Sequence, residues 1–300
     1  MSKLKIVYIA GYGRSGSTML DMSLHQHPDI FGAGEIAEMC RHVWTENEYC
    51  ACKRQIRSCE LWSSIMADWA RNGGDVGRYF QMQKRIEPLL SMDRLRRTET
   101  LRWFNDMTAA MFEAIAANTG TSIIVDSSKA PGRGLAHALN GAIDLRVVHN
   151  VRDARAVANS MTKSMDIDVE KGVQKKIKSR SPYRTAIRWR MYNSYVEALI
   201  RNVGAENTVR VRYEDFSTQS KTELQRIGAC IGVDLSDVGD AIEAERPIVA
   251  GHQMAGSRIR MKGELVMRLD AKWKETMTAL AQKQVLSVTS AQMKRYGYIA

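Results

Sequence analysis

Short apolar runs alternate with segments of helical period along this chain. Ile6-Val7-Tyr8-Ile9-Ala10, Ile123-Ile124-Val125, the run from Leu145 to Val151 and the run from Thr208 to Tyr213 each read as a strand buried on both faces. Asp29 to Glu35, with Gly32 and Gly34, reads as a short strand or turn. Helical patterns fill the intervals. One starts at Met19 and ends near His27-Pro28, because proline disfavours helix before it. A second fills residues 76–118, where Phe104, Met107, Met111 and Ile115 recur at three- and four-residue spacing and mark a buried stripe. Others start at about Asp153, a plausible N-cap, and cover about 218–231, 270–283 and 287–295. No internal repeat or low-complexity linker interrupts the series. The pattern predicts one α/β domain over residues 1–300 with a central parallel sheet. It carries a helical insertion at about 36–118, around Trp62 and Trp69, and a basic, mobile loop at about 163–181.

The first strand runs into Gly11-Tyr12-Gly13-Arg14-Ser15-Gly16-Ser17-Thr18 and then a helix. Strand, glycine-rich loop and helix N-terminus form an anion cradle, because backbone N–H groups and the helix dipole converge there. Gly11, Gly16 and Thr18 keep the spacing G-x-x-x-x-G-K-[ST], but Ser17 stands where the phosphate-gripping lysine belongs and Arg14 lies inside the loop. The expected architecture is therefore a P-loop-type three-layer sandwich. Two more strand ends close on polar groups. Asp126-Ser127-Ser128-Lys129 follows one, and Arg152, with Ser160 eight residues on, follows another. Open α/β sheets place ligands at such ends. Alone, Glu35 reads as a helix-start acid and Arg152 as a surface ion-pair partner.

Net charge is +11 over 300 residues, which favours anionic partners. Lys163, Lys171, Lys175, Lys176, Lys178, Arg180, Arg184, Arg188 and Arg190 crowd one stretch, interleaved with Tyr183, Trp189, Tyr192 and Tyr195. Such a run serves equally as a solvated face or as an anion-binding surface. Residues 251–263 are glycine-rich and basic and read as a loop able to close over an anion. No apolar run reaches the roughly 20 residues of a membrane span, and Met1 to Lys5 lead directly into the first strand without a signal-peptide core. A cytoplasmic protein is expected. Cys40, Cys50, Cys52 and Cys59 cluster, with Cys230 far away. C-x-C is not the usual zinc spacing and no second pair follows, so reduced structural thiols are expected.

Taken together, these motifs resemble the sulfotransferases that use 3′-phosphoadenosine 5′-phosphosulfate (PAPS). Gly13-Arg14-Ser15-Gly16-Ser17-Thr18 looks like the family's 5′-phosphosulfate loop. Val151-Arg152-Asp153-Ala154-Arg155-Ala156-Val157 with Ser160 looks like its 3′-phosphate motif. Val211-Arg212-Tyr213-Glu214 resembles the strand whose Tyr lines the nucleotide site, and Arg258 to Gly263, with Lys262, resembles the basic loop that closes on the donor. The closest branch is the tyrosylprotein and bacterial carbohydrate enzymes. His27-Pro28-Asp29 and Glu35 match its H-P-D motif and catalytic base, and Lys129-Ala130-Pro131 its catalytic lysine. The Cys50–Cys59 segment instead resembles soluble bacterial sulfotransferases.

The resemblance implies PAPS as donor, adenosine 3′,5′-bisphosphate (PAP) as product and no metal requirement. It assigns Glu35 as base, Arg14 and Lys129 to the charge on the bridging oxygen, and Arg152 and Ser160 to the 3′-phosphate. The acceptor is expected to be a hydroxyl, on an acidic glycan in preference to a peptide tyrosine or a small phenol or alcohol. Oligomeric state is left open. A P-loop kinase would need the absent lysine and a Walker B acid, whereas the third strand ends in Asn150-Val151-Arg152. A nucleic-acid-binding protein would need a recognisable module, and the basic residues are instead spread along the chain.

Overall fold

The computed structural model describes residues 3–173 and 176–300; Met1, Ser2 and Lys175 of the basic stretch lie outside them. Five parallel strands, β1 (Leu4–Ala10), β2 (Ile30–Gly32), β3 (Ile123–Lys129), β4 (Ile143–Val151) and β5 (Thr208–Arg212), form one sheet in the order β2-β3-β1-β4-β5. Strand β1 lies at its centre. Its side chains alternate between two cores: Ile6, Tyr8 and Ala10 face one, Val7 and Ile9 the other. That two-residue period, apolar on both faces, makes the strand read as an uninterrupted hydrophobic run.

On the second face, α1 (Ser17–Leu24), α10 (Ser220–Ile231) and α11 (Ser236–Glu243) cover the sheet through Leu20, Leu24, Leu224, Ile227 and Ile242. On the first face lies the expected helical insertion. It comprises α2 (Glu60–Arg71), α3 (Val76–Ile86), α4 (Met92–Arg96) and α5 (Leu101–Thr119), packed around Trp62, Trp69, Tyr79, Phe104 and Phe112. Phe104, Met111 and Ile115 are buried on α5, which ends at Gly120 in the left-handed region, φ 69°. Helix α6 (Pro131–Ala138) follows β3. A third core joins α7 (Ala154–Met161), α8 (Pro182–Val203), α12 (Trp273–Thr276) and α13 (Ala279–Arg295). Helix α9 (Tyr213–Thr218) continues directly from β5, and β6 (Ile248–Val249) pairs antiparallel with β7 (Glu264–Leu265).

Several boundaries differ from the sequence reading. Strand β3 continues four residues past its apolar part, to Lys129, because Asp126, Ser127 and Ser128 are buried polar residues with partners in the fold. The C-terminal helices break at Met277-Thr278, where the Thr278 side chain caps α13, rather than between 283 and 287. Among the described residues of the basic 163–181 stretch, antiparallel bridges join Met165 to Ile177 and Asp168 to Val173. Within α8, Trp189 is buried while Tyr183 and Tyr192 stay exposed. No described helix is long and apolar enough to cross a membrane.

Two buried acids organise the carboxyl edge of the sheet. Asp126 accepts from Arg133 Nε at 2.9 Å, and both side chains are fully buried. Burial opposes ionisation of Asp126, but the Arg133 charge and the hydrogen bond from His137 hold its carboxyl below the ordinary range. Arg133 Nη1 also reaches the Tyr79 hydroxyl at 3.2 Å and Glu87 at 3.4 Å. Asp126 in turn binds the backbone N–H and hydroxyl of Ser128, and Ser128 Oγ accepts from Ala37 N at 2.9 Å. Removing one partner of a buried pair strands the other charge, at about 3–5 kcal/mol. Arg133→Ala should therefore lower the unfolding free energy from urea denaturation by an amount of that order, well beyond a surface Arg→Ala control.

Asp21 is different. Burial pushes its carboxyl up to about 7, with the Gly34 N–H, 3.1 Å away, acting in the opposite sense. An unfolded Asp ionises near about 4. Between those values the folded chain holds a proton that the unfolded chain has released, so this residue makes stability fall as pH rises from about 4 to about 7. Asp21→Asn should flatten that part of the stability profile. Denaturation of both proteins at pH 5 and pH 7.5 checks it: the variant should gain stability relative to the parent at the higher pH.

Candidate active site

The carboxyl ends of β1, β3, β4 and β5 open into one cavity of about 460 Å³. Gly13, Arg14, Gly16, Ser17, Thr18, Glu35, Lys129, Arg152, Ser160, Tyr213 and Arg258 all line it. Two expected site residues do not. Ser15 is buried beneath the loop, its Oγ without a partner, while its carbonyl accepts from Asn150 Nδ2 at 2.9 Å. Lys262 is exposed at the end of a 3-10 turn and lies outside the cavity wall, because the turn at Arg258–Lys262 sends successive side chains in different directions.

The loop after β1 brings the N-terminus of α1 to the cavity. Arg14 and Gly16 take left-handed φ values of 67° and 85°. At Gly16 a Cβ would stand 2.5 Å from the Tyr213 ring, so only glycine lets the loop approach β5's end. No side chain caps α1, which leaves its first N–H groups directed to the loop's concave side. Thr18 Oγ1 accepts from Ser257 N at 3.2 Å, which brings the 256–258 segment over the loop. Arg14 is partly buried, and burial followed by the nearby Arg258 charge lowers its pKa, against the attraction of Glu35. Two guanidinium groups crowd one partly desolvated space, an arrangement that an anion between them relieves.

Glu35 and Lys129 come from separate strand ends and meet there. Lys129 Nζ donates to Glu35 Oε1 at 2.6 Å and to the Ser127 carbonyl at 2.9 Å. A register shift between Tyr8 and Ala10 against β3 sets Lys129 opposite Ala10, and Lys129 holds a left-handed φ of 66°. Irregular backbone of this kind re-aims a side chain. On the other side, Gly34 has φ 83°, and a Cβ there would lie 2.1 Å from the Met254 carbonyl, which also accepts from Glu35 N at 3.2 Å.

Arg152 occupies the opposite wall. Its guanidinium stacks over the Tyr213 ring at 4.3 Å and donates to the Arg14 carbonyl at 3.3 Å. Asp270, absent from the sequence reading, accepts from Arg152 Nη2 at its carbonyl (2.8 Å) and at Oδ2 (3.1 Å). Arg152 Nε is buried without a partner. Trp189 Nε1 donates to the Arg152 carbonyl at 3.1 Å and fixes the backbone. Ser160, on α7, faces the same space. Met161, at the end of α7, and Met165, Val173 and Ile177 of the folded-back stretch add an apolar wall. Nothing local marked Asp270 or that wall, since both depend on segments more than 100 residues from their partners or on a hairpin among basic residues.

The arrangement offers two cationic subsites, one at the loop with Arg14 and one at Arg152 with Ser160, and a carboxylate–ammonium pair at the mouth of the first. Comparison with known proteins bears on the family and the fold. The family model described as "Sulfotransferase family" matches residues 7–237. No curated protein matches the sequence. Among solved structures, the sulfotransferase domain of the Synechococcus PCC 7002 olefin synthase is similar at a TM-score of 0.53 with 18% identity, over 97% of this chain and 95% of that one. The sulfotransferase domain from the curacin biosynthetic pathway gives 0.55 and 16%, over 97% and 98%. A sulfotransferase from Mycobacterium avium gives 0.50 and 10%, over 99% and 78%. At these identities the structures establish a shared fold, and the family match, which spans most of the chain, establishes the kinship: the chain belongs to the sulfotransferase family.

Proposed function

We propose that this protein transfers the sulfuryl group of PAPS to an acceptor hydroxyl, with PAP as the second product. The observation that carries the reading is the meeting of Glu35 and Lys129, 2.6 Å apart, beside an uncapped, lysine-free anion loop. A donor with one 5′-phosphate has no β,γ-phosphate pair for a loop lysine to hold, which suits Ser17 at that position. The donor also carries a separate 3′-phosphate, and the cavity has a separate cationic subsite at Arg152 and Ser160. The partnerless Arg152 Nε and the crowded Arg14 and Arg258 are the groups such a donor would satisfy.

The donor supplies an activated sulfur–oxygen bond, which breaks toward the 5′-phosphate as the acceptor oxygen bonds to sulfur. Loose in-line transfers of this kind depend on positioning and electrostatics. Glu35 takes the acceptor's proton. Lys129 holds Oε1, which leaves Oε2 as the receiving atom. Lys129 and Arg14 also stabilise negative charge on the bridging oxygen. The loop N–H groups, Ser17 and Thr18 hold the 5′-phosphosulfate, Tyr213 lines the nucleotide site, and Arg258 covers the loop.

The basic 163–190 stretch favours a carbohydrate acceptor, acidic or extended. The apolar wall of Met161, Met165, Val173 and Ile177 favours a small phenol or alcohol instead. Incubation with radiolabelled PAPS and panels of glycans, tyrosine peptides and small alcohols, followed by mass spectrometry of the product, separates the readings. Failure of label to reach any hydroxyl acceptor, with no PAPS binding, would reject the proposed reaction itself.

Two variants test the roles. Glu35→Gln should lower kcat by about 10²–10⁴-fold with donor binding unchanged; near-normal turnover would place the base elsewhere. Arg152→Ala removes charge-assisted hydrogen bonds worth about 1.5–3 kcal/mol. It should raise the PAPS KM by roughly ten- to a hundredfold and change kcat little, and an unaltered KM would remove Arg152 from the 3′-phosphate.

A further inference from the structure

Outside the cavity, four potential metal ligands converge from two distant parts of the chain. Cys50, Cys52 and Cys59 lie at the root of the helical insertion, and His252 lies some 190 residues later, in the segment that runs over the anion loop. All four donor atoms lie within 4.8 Å of one another. Cys59 Sγ is 3.2 Å from His252 Nδ1, Cys50 Sγ is 3.8 Å from the same nitrogen, and the two sulfurs are 3.9 Å apart. A disulfide needs about 2.05 Å. Tetrahedral zinc, with bonds of about 2.3 Å to sulfur and about 2.0 Å to nitrogen, sets its ligands about 3.8 Å apart for sulfur pairs and about 3.5 Å for sulfur and nitrogen. The geometry is therefore close to that of a metal-bound set and far from that of a bridged one.

The surroundings fit a metal centre. Cys50 starts a tight turn, accepting from Lys53 N and donating to the Arg54 carbonyl, each at 2.9 Å. Lys53 sits at φ 67° within it. Trp62 Nε1 donates to the His252 carbonyl at 2.7 Å, and Ala51 N donates to the Gln253 carbonyl at 3.0 Å, so both sides of the cluster are held by secondary contacts. Cys50 and Cys59 are fully buried, while Cys52 and His252 are partly exposed and provide an entry path. Three thiolates, one imidazole and a divalent ion carry one net negative charge. Arg260, 1% exposed, donates to the carbonyl of Tyr49, the residue before Cys50, and its Nε and Nη1 have no partner.

We propose that Cys50, Cys52, Cys59 and His252 bind one zinc ion. With four protein ligands the site is closed and structural. Its place in the fold gives it a task. His252 is two residues from Met254, whose backbone pairs with Gly34 and Glu35, and five from Ser257, whose N–H binds Thr18. The ion ties the insertion to the strap that crosses the anion loop, in place of the free structural thiols that the C-x-C spacing suggests. This inference stands independently of the donor and acceptor.

The test uses the full chain, expressed with added zinc and purified anaerobically with reductant. Elemental analysis should find one zinc per chain after dialysis, and native thiol titration should leave Cys50, Cys52 and Cys59 protected until a chelator is added. Cobalt exchange should give the intense ligand-field bands of a tetrahedral site and thiolate-to-metal charge transfer. Cys59→Ser and His252→Ala should lose the ion, and Cys230→Ser should keep it. The wild-type measurements decide the question even if the ligand variants do not fold. Less than a tenth of an ion per chain with no tetrahedral cobalt spectrum overturns the proposal, as does a full count of reactive thiols in the native protein. Metal removal should also speed amide hydrogen exchange in residues 250–258 by about tenfold or more; unchanged exchange there would refute the strapping role.

Discussion

The buried Asp126–Arg133 pair is the constraint on which the site's geometry rests. Two opposite charges removed from water are tolerable only when each is hydrogen-bonded, and here the neighbours supply what the pair needs. Tyr79 and Glu87 reach in from the insertion, His137 from α6, and Ser128 from the strand itself. Through Ser128 the network holds Ala37, two residues past Glu35, and one residue further along β3 it delivers Lys129. The two groups that meet in the cavity are thus positioned by one polar cluster beneath it. The helical insertion is part of that cluster and so part of the site's support.

How far the chain could be read in advance follows from the range of the forces involved. Strands buried on both faces announce themselves locally, as Ile6 to Ala10 and Leu145 to Val151 do, and so does a glycine loop between strand and helix. Lys129 and Arg152 were legible because each follows a recognisable apolar run, whereas Glu35, which alone reads as a helix-start acid, was placed by the family resemblance; the structure brings all three to one cavity. What escaped depends on partners far along the chain. Asp270 matters only because Tyr213 O–H accepts from its N–H and Arg152 reaches its carboxylate. His252 gains meaning only beside Cys59. Polar residues inside β3 end an apolar pattern without ending a strand, since satisfied hydrogen bonds replace hydrophobic burial there. Lys262 was misplaced for a simpler reason: a charged residue in a turn carries no signal of which way it points.

Charge is distributed accordingly. The cations behind the net charge of +11 are spread along the sequence. Many cations are spoken for by acids, as Arg155 is by Asp153 and Arg268 by Glu245. Of those that line the cavity, Lys129 and Arg152 have acid partners as well, in Glu35 and Asp270, and Arg152 also stacks on Tyr213 and reaches the Arg14 carbonyl. Convergence on one space, more than the total, sets these cations apart from a solubilising surface.

The Arg152–Asp270 contact bears on the end of a catalytic cycle as much as on its start. Under the proposed reaction, a 3′-phosphate must take Arg152 from a carboxylate that already holds it, so arrival of the nucleotide is an exchange of partners and not the filling of a bare charge. The same carboxylate is at hand when the spent nucleotide leaves. Reclaiming the guanidinium would lower the barrier to departure, and the turnover rate would then depend on a residue that never approaches the sulfuryl group.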